Sequence, residues 1–150
     1  MSESSKKMSF KEMMDRAVYV AALASNDTEK NQIENLLEVI NERPENSEAV
    51  IYFLIFLMRQ AERKLISPKK VADEIICVCK ELNNDAKKLK EFLGMFKWSY
   101  EIIKGLKRED SVKVDAEKFK SGGFDHLKEM FLNPEKYFER TRANSGRIKK

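Results

Sequence analysis

AKKLKEFLGMFKWSYEIIKGL, residues 86–106, is the stretch that decides the fold. At about 100° per residue, Leu89, Phe92, Leu93, Phe96, Tyr100 and Ile103 fall within about 60° of a single line. That spacing predicts a helix from about Ala86 to Leu106 with one buried stripe. Gly105 stands near its end, where a glycine terminator is expected. Trp98, the chain's one tryptophan, falls opposite the stripe and is flanked by Gly94 and Gly105. Two readings of Trp98 follow. It is an anchor for a partner or for a stacked base, or the helix is covered on both sides and Trp98 is core.

Working outward, helical periodicity continues in both directions. Ser9 and Glu12 form a capping box, followed by Phe10, Met13, Met14, Ala17, Val18, Ala21 and Ala24 at helical spacing. A second helix carries Ile33, Leu36, Leu37 and Ile40, and ends at Arg43-Pro44. A third is expected over about 47–64, and its segment Ala49–Met58 is apolar on every face. A helix of that kind is expected at the centre of a bundle. Ser67-Pro68 reads as a cap followed by proline at the first helical position of a fourth helix. After Leu106 the pattern weakens. Ser111–Asp115 alternates with period two, which admits a small β-hairpin near 110–121. Ser121-Gly122-Gly123 reads as a flexible joint before a sixth helix over about Asp125–Leu132.

The expected fold is therefore mainly α. It is a single-domain bundle of five to six helices around the apolar 47–64 helix. Residues 1–108 form its helical core, and 109–150 form an extension packed on the same domain. A chain of 150 residues with 42% apolar content can bury a real core. The ten-residue run Ala49–Met58 is about half the length needed to span a bilayer. The start is polar, with no hydrophobic signal segment. Cys77 and Cys79 point apart on a helix, so no disulfide framework follows. A reducing, cytoplasmic setting is the simplest reading.

No residue set suggests chemistry, and an enzyme is not expected. The lone His126 reads as a surface histidine. With two divergent cysteines it makes no zinc set, and Gly122-Gly123 lacks the context of a phosphate loop. No cofactor or metal is expected. Cys77 falls on the polar side of its helix, where an inert exposed thiol is the plainer reading than a reactive one.

Charge is split along the chain. Residues 26–48 hold seven acids against two bases, and residues 87–150 hold seventeen bases against ten acids. Lys87, Lys90, Lys97, Lys104, Lys107, Arg108, Arg140 and Arg142 are candidates for a stripe that touches nucleic-acid phosphates; a merely solvated surface is the alternative. Glu34, Glu38 and Glu42, with Trp98, are candidates for a protein interface. Acidic helix 2 of one copy against basic helix 5 of the next would give head-to-tail association.

The plan resembles the small subunit of archaeal type I-A CRISPR interference complexes. The matching features are the small basic-tailed helical chain, the apolar run Glu48–Arg59 and the Ser67–Ile76 helix, over about residues 10–106. The resemblance implies a non-catalytic subunit that stacks along a crRNA-guided complex and touches its other subunits. It would help hold crRNA-paired or displaced target DNA by sequence-independent backbone contacts. A hairpin at 110–121 would depart from that pattern. The competing expectation is a helical adaptor, viral or host, that binds a protein partner and no nucleic acid.

Overall fold

The computed structural model describes residues 8–107 and 112–138. It is a bundle of six helices: α1 (Phe10–Asp27), α2 (Lys30–Asn41), α3 (Ser47–Glu62), α4 (Lys69–Glu81), α5 (Ala86–Leu106) and α6 (Gly123–Leu132). Short 3-10 helices at Ala116–Phe119 and Pro134–Tyr137 flank α6.

Local signals start α1, α3 and α5 where the sequence places them. The Ser9 hydroxyl accepts from the Glu12 N–H at 3.1 Å, and the Glu12 carboxylate accepts from the Ser9 N–H at 2.8 Å. Asn46 caps α3 through the Ala49 N–H, and Asp85 caps α5 through the Lys88 N–H. Pro68 is itself the N-cap of α4 rather than its first helical residue, and the Ser67–Pro68 peptide is cis.

The centre of the bundle is α1, not α3. Every residue from Ala17 to Ser25 is buried, and α1 packs on α4, α5, α6 and the first 3-10 helix. Its alanines and valines are small enough for neighbours to close in on all sides. α3 is more apolar but buries only one line, Ala49, Val50, Phe53, Leu57 and Gln60. Its opposite side leaves Ile51, Tyr52, Ile55 and Met58 about half exposed. Apolarity on every face thus does not place α3 at the centre; the small side chains of α1 do.

Three connections meet at Thr28. Its hydroxyl donates to the Ser67 carbonyl at 2.6 Å and accepts from the Ser67 N–H at 2.9 Å. The Tyr100 hydroxyl donates to the Thr28 carbonyl at 2.6 Å. This ties the α1–α2 turn and the α3–α4 turn to the buried stripe of α5. Each buried polar group there has a partner, as burial demands.

The segment after α5 departs from expectation. Among the described residues there is no hairpin near 110–121. Val114 makes one isolated antiparallel bridge with Phe138, and Ala116–Phe119 turns into a 3-10 helix whose Phe119 is fully buried. A two-residue alternation without an adjacent partner strand does not hold a ladder. Ser121-Gly122-Gly123 is not a flexible joint either. Gly122 takes the left-handed conformation at φ 68°, and a Cβ on Gly123 would lie 2.4 Å from the Asp15 carbonyl oxygen. The Asp15 carboxylate also accepts from the Phe124 N–H at 2.9 Å, at the positive end of α6. The two glycines seat α6 directly on α1.

Candidate docking face on α5 and α6

Trp98 is 62% exposed, which removes the core reading. One turn on, Ile102 is 38% exposed on the same line of α5. The end of α6 adds Phe131 at 64% and Leu132 at 82%. Between the helices lies a shallow depression of about 400 Å³ lined by Ile102, Phe124, Leu127, Lys128, Phe131 and Leu132. An exposed cluster of this kind on a small protein marks a contact surface more often than it marks chance. Aromatic anchors with an adjoining apolar pocket are the usual centre of a protein interface. Because α6 is seated by Gly123 and Asp15, the Phe131 and Leu132 half of the face is held against the Trp98 half by α1.

The sequence reading identified Trp98 but missed Ile102, Phe124, Phe131 and Leu132. A signal existed: Trp98 and Ile102 are four apart on the side of α5 away from its stripe. Leu132 likewise lies off the line of Leu127 and Met130, the buried side of α6, whereas Phe131, four residues after Leu127, reads as part of that line.

The basic candidates do not form one stripe. Lys87 is exposed, but Lys90 lies 3.6 Å from Glu45 and donates to the Arg43 carbonyl at 3.5 Å. Lys97 pairs with Glu101 at 3.3 Å. Lys104 sits 5.9 Å from the Tyr100 ring centre. Lys107 donates to the Ser25 carbonyl at 2.8 Å, at the C-terminal end of α1. Arg108, Arg140 and Arg142 lie outside the described residues. Much of the basic charge of α5 is therefore matched within the chain.

The acidic candidates lie on α2, which packs beside α5 in the same molecule. Lys30 bridges Glu34 at 3.9 Å and Glu101 at 3.6 Å. Glu38 and Glu42 are exposed and carry no ion pair among the described residues. The flank of α5 toward α2 is thus occupied within the chain, and its open flank is the Trp98 line.

His126 is half-buried rather than a plain surface residue. Its Nδ1 lies 2.8 Å from the Tyr137 hydroxyl, which donates to Glu129 at 2.6 Å. With that proton committed, the tyrosine oxygen accepts from His126 Nδ1–H. Phe119 packs edge-on against the imidazole, and Lys136 pairs with Glu129. Hydrogen bonds from Lys136 and Tyr137 hold the Glu129 carboxyl below its ordinary range. Burial, reinforced by the Glu129 hydrogen bond, pushes the Tyr137 phenol up to about 12. The chain of groups locks the second 3-10 helix onto α6.

Burial alone pushes the Cys79 thiol up to about 12, while Cys77 is exposed. Among the described residues, no group of three or more His, Cys, Asp and Glu could hold a metal ion. No helix among them is long and apolar enough to cross a membrane. No protein-family model, no curated protein and no solved structure matches this chain.

Proposed function

We propose that this protein is a non-catalytic structural subunit of a larger assembly, held in place through its α5–α6 face. The observation that carries this reading is the set of exposed apolar side chains Trp98, Ile102, Phe131 and Leu132, the last three of which line one depression. Leaving such side chains in water forgoes roughly 1.5–3 kcal/mol for each that a partner could bury completely. The sequence resemblance narrows the assembly to a crRNA-guided type I-A interference complex working in the cytoplasm. In it this chain would contact other subunits, with exposed lysines such as Lys88 touching the crRNA or target-DNA backbone weakly and without reading sequence.

One observation favours the second reading, a helical adaptor without nucleic acid. Lys90, Lys97 and Lys107 are engaged inside the chain and so offer little to phosphates. Affinity capture of the tagged protein from its source cell separates the two. Recovery of several subunits together with crRNA, lost in Phe131→Glu, supports the guided complex. Recovery of one protein without RNA supports the adaptor, and equal recovery with Phe131→Glu removes the docking face from both. In parallel, single-strand affinity that falls steeply between low and moderate salt is expected of the first reading only.

A further inference from the structure

Among the described residues, none covers the α5–α6 face. Residues 1–7, 108–111 and 139–150 contain only Met1 and Ile148 as large apolar side chains. A second uncovered apolar face does exist, on α3. Taking Ile55 as the reference line, Ile51, Tyr52, Met58, Arg59, Glu62 and Glu48 all fall within about 60° of it at 100° per residue. All seven are exposed. α3 packs on α2, α4 and α5, whereas α6 packs on α1, α5 and the two 3-10 helices. The faces therefore look out on different sides of the molecule.

Their charges and shapes are complementary in one register. Along the Trp98 line of α5 stand Lys87, Glu91, Gly94, Trp98 and Ile102. A Cβ on Gly94 would meet nothing within 4 Å, so Gly94 leaves a hole beside Trp98. When α3 of another molecule is laid antiparallel with Ile55 over Gly94, the helical rise of about 1.5 Å per residue brings Ile51 to Trp98. The same rise brings Arg59 near Glu91 and Glu62 opposite Lys87. Lys87, Glu91 and Glu62 have no ion-pair partner among the described residues. In the same register Tyr52 lies level with Lys97, and Glu48 comes opposite Glu101 at the end of the contact.

We infer that the protein binds a second copy of itself head to tail, with the α3 stripe of one molecule lying antiparallel across the α5–α6 face of the next. The contact joins two different surfaces, so each added copy leaves one of each free. A contact of that type extends as a row unless its rotation closes a ring. The inference rests on the assembly reading in supplying the contact through which subunits would line up. It replaces the α2 flank with α3 as the partner of α5.

Sedimentation equilibrium on the purified protein tests it without any cellular partner. Wild-type mass is expected to rise with concentration past that of a dimer. Ile55→Glu and Trp98→Glu should each be monomeric alone, with unchanged circular dichroism because both residues are exposed. Mixed one to one, they should form a dimer that grows no further, since one retains the α5–α6 face and the other the α3 stripe. Trp98→Glu contains no tryptophan, so a blue shift of Trp98 emission from the Ile55→Glu chain would report its capture. Glu62→Lys and Lys87→Glu should each weaken association about threefold to tenfold, and the double exchange should restore it. A wild type that stays monomeric throughout, a mixture that stays monomeric, or an Ile55→Glu chain that still dimerises would each overturn the inference. Self-association without recovery of a cellular assembly would sink the proposed function and leave this contact standing.

Discussion

Gly123→Ala tests the seat of α6, and with it half of the docking face. The added methyl would lie 2.4 Å from the Asp15 carbonyl oxygen and 3.2 Å from Val18 Cβ. A carbon–oxygen contact needs about 1 Å more than that. The obstacle is helix backbone, so α6 must lift off α1. Overpacking of this kind costs about 1–3 kcal/mol. Loss of the Phe124 N–H bond to the Asp15 carboxylate adds about 1.5–3 kcal/mol. Replacing a helical glycine by alanine offsets less than about 1 kcal/mol of this. A net loss of about 1.5–6 kcal/mol is expected, which lowers Tm by about 3–24 °C in a chain of this size. Gly94→Ala is the matched control: no heavy atom lies within 4 Å of its Cβ, so it should raise folding stability by about 1 kcal/mol. Thermal and urea unfolding of both variants measure the contrast. Equal stability of Gly123→Ala and wild type, or shifts of the same sign in both variants, would refute a tight α1–α6 contact.

Thr28→Val removes the hydroxyl that both donates to and accepts from Ser67. With both part-buried Ser67 backbone partners left open, a loss of about 1–3 kcal/mol is expected in urea unfolding. An aromatic disulfide reagent should titrate one thiol in the native protein, Cys77, and the second, Cys79, only after unfolding. The Tyr137 phenol is raised from 10.0 to about 12, so its contribution is complete below pH 10 and is lost as pH rises through about 12. Melts across that range, with tyrosinate absorbance followed alongside, should show a decline that Tyr137→Phe reduces.

The helices themselves are legible in the chain because their causes are local. The Ser9–Glu12 box, the Asn46 and Asp85 caps and the Leu89–Ile103 stripe each lie within a few turns of backbone. The candidate site is only half legible. Trp98 stands off the stripe of α5, but whether another helix covers that side depends on packing between segments far apart in sequence.

By itself the sequence determines a mainly helical chain, the lines that α2 and α5 bury and the absence of a long apolar span. Only the tertiary structure decides which helix stands at the centre, since small side chains let α1 be surrounded while bulkier α3 is left at the edge. Tertiary packing likewise determines that Gly123 is a contact rather than a hinge, because the atom it avoids belongs to Asp15, more than a hundred residues away in the chain. It also matches Lys90 and Lys107 to acceptors on other elements and leaves Trp98, Ile102, Phe131 and Leu132 in the open. Periodicity fixes which way a side chain points from its own helix axis. What it meets there is set by the arrangement of the other helices.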